Sequence, residues 1–184
     1  GDMVLSLLEK FPNTKAYCFE PNPKQYAFIF ERLNSRKNIN LYNIGLGDEN
    51  KEMIMNSCVE YPDSSSLIKQ SQIALNLGFT TQEIPVKIVT LDSFLSQIEL
   101  DFIHLAKIDV EGFEFQFLKG AKESLKKIES IYIEIATSYQ KPFSRHHIDC
   151  FEFLHNEGFS YVGCYGDYFF TKNKFMINAF CRNS

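Results

Sequence analysis

The stretch AKIDVEGFE, Ala106 to Glu114, sets Lys107, Asp109, Glu111 and Glu114 at the end of an apolar run and turns on Gly112. Side chains alternate along a strand, so Lys107 and Asp109 share one face. Burying both charges in a sheet is costly unless they are paired or open on a cleft. Two readings follow: a ligand cleft, or an ion pair from Lys107 to Asp109 or Glu111 that only ends the strand. In a cleft, such carboxylates bind hydroxyl groups or take a proton from one. Gly112 permits a tight strand-to-helix turn, leaving Glu111 and Glu114 at a helix N-terminus, where acids are stabilising. Glu114 reads as the more structural of the two.

Two further acids close apolar runs. Glu20 follows AYCF and precedes a capped helix, the setting in which a carboxylate receives both hydroxyls of a nucleoside ribose. An exposed acid favoured by the helix dipole is the alternative. Glu134, in YIEIA, either lines the same cleft as Asp109 from a neighbouring strand or is tied to a backbone amide. In an open parallel sheet ligands bind beyond the carboxyl ends of the strands, so three acids at such ends form a pattern. Asp109, Glu111 and Glu134 offer oxygens to a cation, but nothing fixes the count or geometry a magnesium site needs, and no metal is expected.

Other groups are more ambiguous. His146 and His147 open a late helix; one of them can supply a general base, since adjacent helical residues point apart, and a surface role for both is the other reading. GLGD, Gly45 to Asp48, follows a strand and either lets a flat ring approach the backbone or is a plain turn. DSSSL, Asp63 to Leu67, reads as a polar lid or a helix cap.

The elements that must position these residues alternate in period between helix and strand, which is the pattern of α/β architecture. DMVLSLLEKF sets Val4, Leu5, Leu8 and Phe11 on one helical face. Ala16 to Phe19 is a strand. The next helix has Asn22 as N-cap, Pro23 at its first position and the stripe Tyr26, Ile29, Phe30, Leu33. NINLYNIG, KEMIMNSC and PVKIVTL read as strands, and SSSLIKQSQIALNLGF contains a short helix. Asp92 caps SFLSQI, and FIHLAKID is a buried strand of the parallel kind. FEFQFLKGAKESLKKI is helical, SIYIEIA a strand, and HHIDCFEFLHNEGF a helix closed by Gly158. SYVGCYGDYFFTKN reads as a hairpin.

The 184 residues, 45% apolar and 15% aromatic, suffice for one domain with a proper core. A net charge of -4, with Lys and Arg scattered, argues against a nucleic-acid surface. No run reaches the length of a membrane span and no leader pattern opens the chain, so a cytoplasmic protein without membrane contact is expected. The five cysteines, Cys18, Cys58, Cys150, Cys164 and Cys181, are widely spaced and read as reduced core residues.

The segments YCFEPNPKQYAFIFERL, NLYNIGLGDEN, TLDSF and LAKIDVEGFEFQFLKGA, in this order, resemble the FkbM-type methyltransferases. GDYFFTKN resembles that family's closing strand. The resemblance covers nearly the whole chain. It implies a Rossmann-like three-layer α/β sandwich with a mostly parallel sheet and a C-terminal antiparallel hairpin. It also implies S-adenosylmethionine as cofactor and methyl transfer to an oxygen on a sugar or natural-product-like acceptor, a small molecule or glycan. Carried over, Glu20 binds the cofactor ribose, Gly45 and Leu46 lie near the adenine, Asp109 stands by the methyl group, and Glu111 and Glu134 flank the acceptor. The family's first strand and D-x-G-A-N-x-G turn are absent, Gly1 and Asp2 matching the last two positions of that turn. The expectation is therefore one domain over residues 1–184, incomplete at its N-terminus, with an open sheet slot that makes self-association into a homo-oligomer plausible.

A non-catalytic Rossmann-like module with a decayed cofactor site is the competing class. The missing strand favours it, and the retained Glu20, Asp109 and Glu134 oppose it. A nicotinamide-dependent oxidoreductase would suit Glu20 but leave KIDVEGFE without a role.

Overall fold

A computed structural model of the chain describes residues 2–58, 67, 80–135, 145–165 and 167–174. Helix α1 (Asp2–Lys10) leads to strand β1 (Ala16–Phe19), α2 (Pro23–Leu33), β2 (Ile39–Tyr42) and the short β3 (Gly45–Leu46). Next come β4 (Lys51–Cys58), β5 (Thr81–Val89), α3 (Leu91–Leu95), β6 (Ile103–Ile108) and α4 (Glu114–Gly120). A 3-10 turn (Ser124–Lys127) precedes β7 (Ile128–Ile133), α5 (Arg145–Asn156), β8 (Ser160–Tyr165) and β9 (Asp167–Thr171). The alternation of helix and strand predicted from the apolar period is observed.

The ladders differ from the expected sheet. Among the described residues the strands form three groups: β1 with β2, β3 with β5 and β4, and β6, β7, β9 and β8 in that order. The pairs β1–β2, β3–β5 and β6–β7 are parallel, whereas β4–β5, β7–β9 and β8–β9 are antiparallel, so the arrangement is mixed and not mostly parallel. The expected C-terminal hairpin ladder is present, with a register irregularity between Tyr161 and Gly163. Within these ladders β1 and β6 each pair on one side only. That explains a second difference: the apolar strand β6, expected to be buried, leaves Leu105 37% exposed and Phe102 just before it 51% exposed.

One apolar core joins the groups. Ile131 and Ile133 of β7, Leu118 of α4, Leu125, and Cys150 and Leu154 of α5 are all fully buried in it, each large side chain contributing about 1.5–3 kcal/mol of apolar burial. Phe94 of α3 bridges to the β1–β2 pair, its ring centroid 4.9 Å from those of Phe19 and Tyr42 and 6.5 Å from that of Tyr17. These edge-on contacts hold β1 over the same core as β6 and β7.

Helix ends follow local chemistry. Asn22 caps α2, its side chain accepting from the Lys24 amide, and Pro23 opens the helix as expected. Thr90, not Asp92, caps α3. Asp92 instead reaches across to the 3-10 turn, accepting from the Ser124 amide and hydroxyl at 2.7 and 2.6 Å and from the Glu123 amide at 3.1 Å. The helix expected over 113–128 ends at Gly120, and the 3-10 turn starts only at Ser124. Gly158 (φ +85°) ends α5 as predicted. Phe11 and Phe30, expected on buried stripes, are exposed; α1 has ended before Phe11, and Leu33 alone of the α2 stripe is fully covered. Cys164 is exposed, unlike the buried Cys150. The helix expected in SSSLIKQSQIALNLGF, the lid residues 63–66 and the hairpin's Gly166 lie outside the described residues; Leu67 packs against Met55, Val86 and Ile88.

Candidate active site

Strand register brings three carboxylates around one ammonium. Lys107 pairs with Tyr132 and Ile108 with Ile133 across β6 and β7, so Asp109 and Glu134 leave neighbouring strands at the same level. The Glu134 amide donates to the Ile108 carbonyl at 2.9 Å, locking the two exits together. Because β9 runs antiparallel to β7, with Tyr168 opposite Ile133, its first residue Asp167 arrives at this same edge. Lys107 Nζ lies 2.7 Å from Asp167 Oδ2, 3.4 Å from Asp109 Oδ2 and 3.8 Å from Glu134 Oε2, and 5.3 Å from the Tyr132 ring centroid.

The charges here perturb one another. Burial works to lower the Lys107 pKa, but the hydrogen bond to Asp167 and the charges of Asp109, Asp167 and Glu134 outweigh it and leave the ammonium more firmly protonated than an ordinary lysine. Glu134 is pushed upward by burial first, then by the negative charges of Asp109 and Asp167, with Lys107 opposing. Three carboxylates against one ammonium leave this edge net negative. The ion pair Lys107–Asp109 therefore exists, as part of a larger acidic cluster at the strand ends.

Beyond Asp109 the chain reverses. The Phe113 amide donates to the Val110 carbonyl at 3.2 Å, and both residues between them have positive φ, Glu111 at 49° and Gly112 at 96°. Gly112 takes this conformation freely, as expected, whereas Glu111 adopts it at a cost of about 1–2 kcal/mol. The Glu114 side chain closes the turn. It is 0% exposed, accepting from the Gly112 amide at Oε1 (2.8 Å) and from His146 Nε2 at Oε2 (2.6 Å).

The histidines differ from their surface reading. His146 is part-buried on Glu114, and His147 is 1% exposed with its ring edge-on to Tyr168 at 5.9 Å. Burial, reinforced by His146, holds the His147 pKa below the usual imidazole value.

Glu20 stands at the carboxyl end of β1. Its Oε1 accepts from the Asn22 amide at 2.8 Å, and Asn43 Nδ2 donates to the backbone carbonyls of Glu20 and Pro21 at 2.8 and 3.1 Å. Asn22, itself buried, donates to Ser57 Oγ at 3.1 Å. Gly45 sits against this corner: a β-carbon there would lie 3.2 Å from Pro21 Cβ and 2.6 Å from Ile88 Cδ1. Leu46 packs on the main core. One residue further, a β-carbon on Gly47 would meet the Phe113 ring at 2.8 Å, so β3 joins the Glu20 corner to the turn beyond Asp109.

The structure thus brings Asp109 and Glu134 together, places Glu111 on the adjoining turn, and sets Gly45 against Pro21, the residue after Glu20, while Leu46 packs on the main core. Asp167 and the Glu114–His146 pair escaped sequence reasoning. The available signal for Asp167 was its place at the head of an aromatic strand returning beside β7. For Glu114 it was the interval back to Gly112, which suits a side chain accepting from a turn amide.

Acids beyond the ends of parallel strands in a mixed α/β chain define a class that comparison with known proteins makes specific. Two curated relatives match: "Methyltransferase 1" of Beauveria bassiana, 26% identical over 154 residues (75% of this chain, 61% of the relative), and "2-O-methyltransferase NoeI" of Sinorhizobium fredii, 26% identical over 142 residues (73% and 58%). The crystal structure of methyltransferase FkbM from Methylobacillus flagellatus superposes with a TM-score of 0.52 at 13% identity, covering 93% of this chain and 40% of that one. Residues 4–161 match the model of the Methyltransferase FkbM domain. The chain belongs to that family, and it spans about three fifths of the length of the curated relatives it matches. Among the described residues no helix is long and apolar enough to cross a membrane.

Proposed function

We infer that this chain forms the core of an S-adenosylmethionine-dependent O-methyltransferase whose acceptor is a hydroxyl of a sugar or natural-product-like molecule. The observation that carries the reading is the acidic cluster of Asp109, Glu134 and Asp167 about Lys107, at the strand ends of a chain in the FkbM family. The relative named as a 2-O-methyltransferase supports an oxygen acceptor.

The residues present suit this cofactor. Its sulfonium and ammonium groups are cationic, and the cluster is net negative. Its ribose offers two hydroxyls, and Glu20 is a carboxylate oriented at a strand end by the Asn22 amide. Glu20 would hold the ribose, Gly45 and Leu46 would border the adenine, and Asp109 would stand beside the reacting methyl group. When bound, S-adenosylmethionine supplies an electrophilic methyl group with a neutral thioether as leaving group.

The chain's own part is orientation and proton removal. Glu134, whose pKa is raised by burial and by its two acidic neighbours, is suited to take the acceptor hydroxyl's proton, because a base is most effective when its pKa approaches the working pH. Glu111 and Glu134 would flank the acceptor, and holding its oxygen in line behind the methyl group supplies much of the rate.

The test is calorimetric binding of S-adenosylhomocysteine to the full-length protein, followed by incubation with S-adenosylmethionine and a panel of methyl glycosides and phenols while the release of S-adenosylhomocysteine is measured. Binding with product release on a hydroxylated acceptor supports the reading. A folded protein that binds neither cofactor form would be the interaction module instead.

A further inference from the structure

The turn after Asp109 carries a charged residue where glycine, or a short polar residue, would fit without strain. Glu111 is exposed and has φ 49°, and Gly112 follows it at φ 96°. Strain retained in a side chain that simpler residues could replace points to a use for that side chain. The turn is also held from behind. The Gly112 amide belongs to the same peptide plane as the Glu111 carbonyl, so a hydrogen bond to that amide fixes ψ of Glu111. That bond goes to Glu114 Oε1, and the other oxygen of the same buried carboxylate is taken by His146 of α5. A 0%-exposed carboxylate with both oxygens engaged, one by a strained turn and one by a separate helix, is a clasp.

We propose that Glu114 and His146 are positioning residues that clasp the Glu111–Gly112 turn and so aim the Glu111 carboxylate at the acceptor. This role rests on the methyl-transfer reading above. His146 does not touch the acceptor in this account; it acts through Glu114. Glu111 binds an acceptor hydroxyl, and Glu134 remains the proton acceptor.

The test uses the full-length protein with His146→Leu, His146→Gln and Glu111→Gly. Three quantities are read: S-adenosylhomocysteine affinity, kinetics with the methyl glycoside that the unaltered protein turns over fastest, and exchange of the Gly112 amide proton. In His146→Leu the Gly112 amide exchanges faster, by on the order of tenfold or more, as its carboxylate partner loosens. In the same variant kcat/KM for the glycoside falls by on the order of 10- to 100-fold through misplacement of Glu111, with cofactor-product affinity unchanged. His146→Gln, whose amide can donate to the same oxygen, restores both. Glu111→Gly relieves the strained φ and keeps the melting temperature, yet loses kcat/KM to a similar extent.

Unaltered kinetics in Glu111→Gly, or unaltered Gly112 exchange in His146→Leu, overturns the clasp while leaving cofactor binding intact. If the unaltered protein binds no S-adenosylhomocysteine, or binds it and methylates no glycoside, the parent reading of cofactor or acceptor fails and this role for Glu111 fails with it. The two kinds of failure are separate because only the first leaves a working enzyme.

Discussion

Lys107 Nζ is 2.7 Å from Asp167 Oδ2, a contact between the end of a parallel strand and the head of an antiparallel one. Asp167 is thereby both a partner of Lys107 and a negative neighbour of Glu134. Replacing it by Asn has effects of one sign: a negative charge beside Glu134 disappears, and Lys107 is released toward Glu134 and Asp109. The Glu134 titration should therefore move down toward the ordinary glutamate range. Carbon-13 NMR of labelled glutamate in Asp167→Asn against the unaltered protein reads this directly, and an upward move would contradict the arrangement.

The raised pKa of Glu134 also predicts how stability changes with pH. Between the ordinary glutamate value, about 4.3, and the higher folded-state value, the folded protein holds a proton that the unfolded chain has lost. Stability contributed by this group is then present at the acid end and lost as pH rises through the folded-state titration. Glu134→Gln removes this contribution. The melting temperature of the variant relative to the unaltered protein should rise as pH increases from about 4.3 through the folded-state titration of Glu134. A flat difference would mean that Glu134 titrates alike in both states.

Glu20 is tested by a replacement that keeps its local contact. Glu20→Gln retains an oxygen able to accept from the Asn22 amide, so the corner at the end of β1 should survive with little change in melting temperature. The hydrogen bonds to a ribose lose their charge assistance. S-adenosylhomocysteine affinity should fall by about 10- to 100-fold, the equivalent of about 1.5–3 kcal/mol for bonds to a charged group. Calorimetry giving equal affinity would remove Glu20 from the ribose site.

These residues were unequally legible in the sequence. Glu20 and Asp109 each terminate a short apolar run, so the strand period alone located them. Glu134 is followed by Ile135 and Ala136, and its place at the strand end follows from β7 stopping at Ile133. Asp167 begins a strand, and its relevance depends on that strand pairing antiparallel to β7, a long-range fact that no local pattern encodes. Glu114 looked like an acid favoured by a helix dipole; its burial follows only when α5 packs against α4 and His146 arrives. The exposed face of β6 went the same way: FIHLAKID has the composition of a buried strand, and exposure is set by the neighbours it has, not by its own residues.

The most local of the unread facts yields the most direct mutational prediction. Gly120 ends α4 in a fully buried position where an added β-carbon would sit 1.8 Å from the carbonyl oxygen of Gly47 and 3.2 Å from Asp48 Cα. The obstacle is backbone and not the tip of a flexible side chain, so α4 or the Gly47–Asp48 segment must move. Lys119 and Asp48, paired at 2.9 Å, tie the same two segments together. Alanine at a helix position ordinarily stabilises relative to glycine by about 1 kcal/mol. Here overpacking, which costs about 1–3 kcal/mol and more where backbone must shift, outweighs that gain. Gly120→Ala should lower stability in urea unfolding by about 2 kcal/mol or more and reduce cofactor-product affinity, because Gly47 also abuts Phe113 at the turn beyond Asp109. A variant as stable as the unaltered protein would show that α4 and the Gly47–Asp48 segment do not approach this closely.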